Sequence, residues 1–401
     1  MSDLDFLSPE FLDDPYPAYQ RLRDAGPVHR HPVGFFVLTR YDDVSAFMRD
    51  PRFGKGGYQA LFESRFGPSA SGPWIGLSML FRDPPDHTRL RALVSKAFTP
   101  RVVEALRAHI QEIVDGLLAR VAGRGRLEVI EDLAYPLPVT VISELLGVPV
   151  DHSELVKAWS RDIARALDAI ALPVGPDVIE RGRRATDEMV SYFRGLIAER
   201  SGHPGPDLLS GLIEAEEAGD RLSEAELLST CVLLYVAGHE TTVNLIGNGL
   251  LALLRHPDER RRLRENPGLL QGAIEELLRY DGPVQRTGRM ATTDLEIAGV
   301  LIPAGSLVLG LLGAANRDPA HFAEPDRLDL GREEPRHLAF GSGIHYCLGA
   351  SLARLEAQVA IGTVLRRFPS LALVVERLTW RPSSTLRGLD ALPVVLGPDR
   401  A

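Results

Sequence analysis

"FGSGIHYCLGASLAR", residues 340–354, sets one of the chain's two cysteines in a glycine-punctuated turn directly before a helical pattern. From Ala350 the apolar residues of "ASLARLEAQVAIGTVLRRF" recur at helical spacing to Phe368, and Pro369 ends the run. Cys347 therefore precedes a helix N-terminus, where the macrodipole and free backbone N–H groups favour a thiolate. A thiolate there serves as a nucleophile, a redox thiol or a metal ligand, whereas a lone thiol can also be an inert buried residue. The other cysteine, Cys231, falls inside a long apolar helical pattern, as a small buried hydrophobe does.

No CxxC and no second thiol lies near Cys347, so a four-ligand zinc site lacks its ligands and a dithiol cycle lacks its partner. A single-thiolate metal site stays open. Haem brings four nitrogen ligands of its own and needs one axial donor from the protein, and Gly341, Gly343 and Gly349 would let the backbone lie close against a flat macrocycle.

The chain has 401 residues and a formal charge of −9, which argues against a protein that coats nucleic acid. Two cysteines cannot build a disulfide framework, and a reducing cytoplasmic location is the simplest reading. The first residues, "MSDLDFLSPEFLDD", are acidic and broken by proline, unlike an export signal. One uncharged run, residues 298–315, reaches membrane-spanning length, but Pro303 and Gly305 cut it into a strand, a turn and a second apolar segment, so no membrane association is expected. Strand patterns sit near both ends: "FFVLT" (residues 35–39), "LEIAGVLIP" (295–303) and "LPVVL" (392–396). Strands so far apart share a small sheet only if the chain closes on itself. The expectation is a mainly α protein with small β-sheets, one domain over residues 1–401, helix-rich from about 80 to 280. Residues 54–81 and 172–176 read as loops or lids.

From the N-cap Ser223 a helical pattern runs without proline to His256, roughly 50 Å of helix. Its middle reads "VAGHETTVN", an unfavourable choice for a buried helix: Gly238 costs about 1 kcal/mol relative to alanine, and an unpaired buried Glu240 would cost several kcal/mol. The flanks are apolar all round, which favours burial, so something must compensate.

These residues carry a resemblance. "FGSGIHYCLGASLAR" resembles the haem-binding signature of the cytochrome P450 superfamily: phenylalanine, two residues, glycine, one, histidine, one, cysteine, one, glycine. "AGHETT" (residues 237–242) looks like its oxygen-activating segment, "EELLR" like its structural Glu276–Arg279 pair, completed by Arg327, and "DHTRLR" like its haem-carboxylate segment. The resemblance covers residues 14–396 and implies the P450 fold, a triangular prism-like single domain with a long central helix. It implies haem b on Cys347, framed by Phe340, Gly341 and Gly349. His87, Arg91, Arg289 and His345 would bind the haem propionates, and Ala237 and Gly238 would leave room for O2. Glu240 and Thr241 would relay the protons that oxygen reduction consumes.

The implied activity is that of a soluble bacterial haem-thiolate monooxygenase, hydroxylating or epoxidising a hydrophobic small molecule in secondary metabolism. With no flavin or iron–sulfur sequence in the chain, ferredoxin and ferredoxin reductase are the expected electron donors, and the protein is expected to be a monomer. Arg82, Arg89, Arg91, Lys96 and Arg101, with Arg354, are expected to form a basic docking face for an acidic donor. The substrate walls are expected in residues 54–81, 163–178, 283–286 and 384–386, and at Leu233 and Ala237. Alternatives are a peroxide-driven peroxygenase, which has less need of the Glu240–Thr241 relay, and a non-catalytic haem or ligand-binding protein.

Overall fold

The computed structural model describes residues 5–66, 76–217, 220–333, 336–375 and 377–397. Its axis is the helix Glu224–Arg255, which starts with a reciprocal capping box between Ser223 and Glu226 and ends at His256, ahead of Pro257. Thirty-two residues span about 48 Å. The segments 227–232 and 242–253 are buried without a break, so this helix takes helices on all sides. Pro136–Leu145, Pro176–Gly202, Leu270–Asp281 and Ala350–Arg367 pack against it. Leu245, Leu277, Ile361 and Leu133 meet in one apolar cluster, and Leu234, Met189, Phe193 and Ile142 in another.

Strands from distant parts of the chain do share sheets. In chain order they are β1 (Val28–Arg30), β2 (Phe36–Leu38), β3 (Phe53–Gly54), β4 (Arg126–Glu128), β5 (Glu216–Glu217), β6 (Asp220–Arg221), β7 (Arg286–Ala291), β8 (Leu295–Ile297), β9 (Val300–Ile302), β10 (Leu307–Leu311), β11 (Ala372–Leu373) and β12 (Pro393–Val395). The main sheet has the order β1-β2-β10-β7-β3. β10 runs parallel to β2, pairing Val308 with Phe36, although some 270 residues separate them. β12 lies between β11 and β4.

Two local expectations change. "LEIAGVLIP" is not one strand but the β8–β9 hairpin, because Ala298 (φ 48°) and Gly299 (φ 80°) turn the chain back between them. The stretch 54–81 is not all loop: Tyr58–Phe66 is a helix, whose buried Tyr58 and Phe62 pack on Phe81. Residues 67–75 of that stretch lie outside the described residues. Among the described residues no helix is long and apolar enough to cross a membrane.

Glu276 and Arg279, on the helix Leu270–Asp281, are both fully buried and bonded twice, Nε to Oε2 at 2.6 Å and Nη2 to Oε1 at 2.7 Å. The arginine that completes the pair is Arg332, not Arg327. Arg332 Nε lies 3.2 Å from Glu276, while the Arg327 guanidinium is half exposed beside Glu324 and only its carbonyl accepts from Arg279, at 3.0 Å.

Candidate active site

The turn before the helix Ala350–Arg367 is closed by the Cys347 amide, which donates to the Phe340 carbonyl at 2.9 Å. Gly341 (φ 72°) and Gly343 (φ 70°) hold left-handed backbone, and a Cβ on Gly343 would stand 2.7 Å from the Met48 carbonyl. Those two glycines therefore shape the turn itself. Gly349 is different: its φ is ordinary and a Cβ there would meet no protein atom within 4 Å. Of the three, it is the one whose missing side chain leaves open space two residues after Cys347.

Arg354 clamps the turn. Its guanidinium stacks 4.4 Å from the Phe340 ring, donates to the Tyr346 hydroxyl at 3.2 Å and makes two 2.7 Å bonds to Glu275. Burial alone would raise the Glu275 carboxyl, but the bonds from Arg354 and His337 hold it at about 2. Burial pushes the Cys347 thiol up, against the pull of the Gly349 amide, Arg91 and Arg354. A metal cation on the sulfur reverses that balance, because metal binding displaces the thiol proton.

The four expected carboxylate partners converge. The His87 and His345 rings lie 4.4 Å apart, and buried His87 Nδ1 and Nε2 and His345 Nε2 have no hydrogen-bond partner among the described residues. Arg289 is buried and Arg91 donates to the Tyr346 carbonyl at 2.7 Å. Burial and then the charges of Arg289, Lys55, His87 and Arg91 push His345 down to about 2. Orphaned buried donors within a positive field call for an anion with several oxygen atoms. The two propionates of haem meet that need, and the open space at Gly349, two residues after Cys347, suits its ring, so the residues present fit haem. Lys55 and its part in this field were not evident in the sequence, since they depend on strand pairing.

On the central helix, Ala237 is exposed and Gly238 and Thr241 are half-buried, between the buried runs 227–232 and 242–253. Ala237 and Thr241 are one turn apart and share a face, and the Thr241 hydroxyl donates to the Ala237 carbonyl at 3.0 Å. A Cβ on Gly238 would lie 3.1 Å from Ile142, so the missing side chain also admits the neighbouring helix.

Glu240, expected to relay protons together with Thr241, precedes it directly on the helix. It is buried on another face, takes a 2.9 Å bond from Arg381 and faces His239 Nε2 at 3.4 Å. Burial would raise its carboxyl, but the hydrogen bond and charge of His239, with Arg381 and Arg161, hold it at about 2. That network is what compensates for a carboxylate inside the helix.

Glu356, on the helix Ala350–Arg367, was missed. Burial raises its carboxyl to about 8 against the bond from Thr242, and its Oε2 has no partner among the described residues. Its signal was a charged residue within the apolar stripe Leu352, Leu355, Val359, Ala360.

Three expected wall segments meet, but not as an apolar surface. Buried Asp168 accepts from Arg286 Nη2 at 2.8 Å, Ser384 Oγ at 3.0 Å and Thr385 Oγ1 at 2.6 Å. The expected basic docking face is largely consumed by internal bonds. Arg89 pairs with Glu226, Arg354 with Glu275, and Arg82 lies 3.8 Å from Asp86. Arg101 is exposed, as are Val102, Ile344 and Tyr346.

The family model described as Cytochrome P450 matches residues 27–373. The chain is similar to Cytochrome P450 107B1 of Saccharopolyspora erythraea, 46% identical over 98% of this chain and 97% of that one. It is equally similar to Cytochrome P450 monooxygenase PikC of Streptomyces venezuelae, 46% identical over 98% of this chain and 93% of the other. The crystal structure of CalO2 superposes with a TM-score of 0.93 at 36% identity, covering 99% of this chain and 100% of that one.

Proposed function

The chain belongs to the cytochrome P450 family, and from that premise we propose that Cys347 would hold its haem through the thiolate and that the face of Ala237 and Thr241 receives a hydrophobic substrate. The protein is a P450 monooxygenase with haem b as cofactor, a small-molecule substrate and a separate source of electrons. The site assignment rests on one observation: unpartnered His87 and His345 donors and buried Arg289 converge beside the turn that carries Cys347.

Haem, when bound through the thiolate, supplies the oxygen chemistry, placing one atom of O2 in the substrate and releasing the other as water at the expense of two electrons. His87, Arg91, Arg289 and His345 hold its carboxylates. Phe340, Gly341 and Gly349 shape the cysteine side, and Ala237 and Gly238 the substrate side. Thr241 is the hydroxyl on the exposed helix face and hands protons toward the pocket. Glu240, held low by His239 and Arg381, stays a carboxylate at neutral pH. Its part is to fix Arg381 and His239 as a standing anion. Glu356, at about 8, keeps a proton at neutral pH beside Thr242, so it is the carboxyl able to donate.

Glu356→Gln should therefore keep the haem spectrum while lowering product formed per electron pair several-fold, the lost electrons appearing as peroxide. It should also change stability against pH. A carboxyl raised in the folded state binds more protons there than in the unfolded chain, so wild-type stability falls as pH rises from 4.5 toward about 8, by up to ~1.4 kcal/mol per unit. Urea melts across that window should show a smaller fall for the glutamine variant; identical slopes would refute the assignment.

The substrate is a medium or bulky hydrophobic compound of secondary metabolism, of the macrolide, terpenoid or steroid kind. Ferredoxin and ferredoxin reductase deliver the electrons to a monomeric, cytoplasmic enzyme folded as one domain. The donor docks on the exposed surface of Arg101, Val102, Ile344 and Tyr346. Arg101→Glu should slow electron transfer a few-fold at low salt and little at high salt, read by stopped-flow reduction; an unchanged salt dependence removes this docking site.

The whole reading is tested by the spectrum of the reduced, carbon monoxide-bound protein and by turnover. A strongly red-shifted Soret band, with oxidation that needs O2 and the donor proteins, is expected. An unshifted band, or turnover with peroxide alone, would overturn it.

A further inference from the structure

We propose that Lys55 is a further cofactor-binding residue, reaching from just ahead of the helix Tyr58–Phe66 to the carboxylates that His87, Arg91, Arg289 and His345 address, so that loading of haem fastens that helix. This rests on the haem-thiolate reading above.

The geometry begins with strand register. β3 pairs with β7, Phe53 opposite Ala291 and Gly54 opposite Met290, and one further step sets Lys55 across from Arg289. Both side chains are buried, at 5% and 4% exposure, so two cations share one interior region. The nearby carboxylate is Asp83, but its oxygens accept from the backbone N–H groups of Lys55 and Gly56, each at 2.7 Å. Among the described residues, Lys55 Nζ meets the Tyr58 ring at 4.6 Å and the Phe81 ring at 5.5 Å. Ring faces stabilise an ammonium by about 0.5–2 kcal/mol, less than the several kcal/mol that burying it costs. Accordingly, burial and Arg289 push the amine well below its usual range.

The missing partner is an anion. The register and burial set Lys55 beside Arg289, one of the four residues that address those carboxylates. Among the described residues, three basic side chains in this region, Lys55, Arg91 and Arg289, stand with one carboxylate, Asp83, and with Lys55 protonated the two carboxylates of haem b bring the group to neutrality. Lys55 also leads into the helix Tyr58–Phe66, which is buried through Tyr58 and Phe62 against Phe81 and packs on Ile170. An ion pair at Lys55 thus joins the cofactor to the helix Tyr58–Phe66.

The test uses holoprotein. In Lys55→Met, haem should pass to excess apomyoglobin about 10-fold faster or more, and the reduction potential should move to a more negative value, because a positive charge near the iron is lost. Lys55→Arg should stay within about twofold of wild type on the same scale. With protein reconstituted with haem dimethyl ester, the methionine variant and wild type should lose cofactor at equal rates. Amide hydrogen exchange over residues 55–66 of the wild type, which needs no variant to fold, should slow on loading haem and not on loading the ester. Equal acceleration with haem and ester, a wild-type transfer rate in the methionine variant, or exchange indifferent to the carboxylates would each overturn the proposal. The thiolate Soret band stays normal in all these cases; its absence in wild type would sink the function reading instead.

Discussion

Cys347→Ala keeps the helical fold and loses donor-dependent oxygenation by several orders of magnitude. The alanine removes one half-buried sulfur whose loss costs the apolar core little, since the turn is held by the Cys347 amide on Phe340 and by Arg354 on Phe340, Tyr346 and Glu275. None of those bonds uses the thiol. What disappears is the anionic ligand that pushes electron density onto the iron and favours O–O cleavage. Far-UV circular dichroism should therefore match wild type, while the reduced carbon monoxide spectrum loses its red-shifted band. Cys347→His separates binding from ligation. With an imidazole able to reach the metal and the carboxylate partners intact, haem should be retained, yet the shifted band and turnover should both be absent. If the alanine variant oxidised substrate at the normal rate, Cys347 would not be the ligand.

The sequence made Cys347, the central helix and the Glu276–Arg279 pair legible because each is a local pattern. A thiol before a helix, a capped apolar run and an i,i+3 pair need no knowledge of what lies across the fold. Relations between segments were harder to read. Lys55 gains meaning only when β3 pairs with β7, and Glu240 becomes a fixed anion only because Arg381, 141 residues onward, folds onto it. Arg327 and Arg332 stand five positions apart, and the family resemblance pointed to the one that turns outward. Glu324, at φ 45°, turns the chain so that Arg327 pairs outward with Glu324 and Arg332 points in to Glu276. Polar residues among the walls misled for a related reason. Asp168, Arg286, Ser384 and Thr385 are each unremarkable where they stand, and only their meeting makes a buried cluster.

The largest loss of stability should follow Glu276→Ala. Arg279 uses all five of its N–H donors: Nε and one Nη2 proton on Glu276, the other Nη2 proton on the Arg327 carbonyl, and Nη1 on the carbonyls of Asn316 and Pro325. Removing the carboxylate leaves a fully buried guanidinium with two donors and its charge uncompensated, a defect of about 3–5 kcal/mol. The Asp329 amide and Arg332, which also bond Glu276, lose their acceptor as well. Glu276→Gln keeps an acceptor in place and should cost less, whereas Arg279→Lys cannot reproduce the planar fork and should cost nearly as much as the alanine. Chemical denaturation of the holoprotein reads these differences directly. Because the three carbonyls held by Arg279 lie on the segment that leads into the Cys347 turn, the damage should extend beyond global stability. Haem should leave the alanine variant faster, and its thiolate Soret band should decay before the helical signal does. If the alanine variant unfolded at the wild-type denaturant midpoint, the buried pair would contribute nothing net, and the support of the thiolate turn would have to come from Arg354 and Glu275 instead.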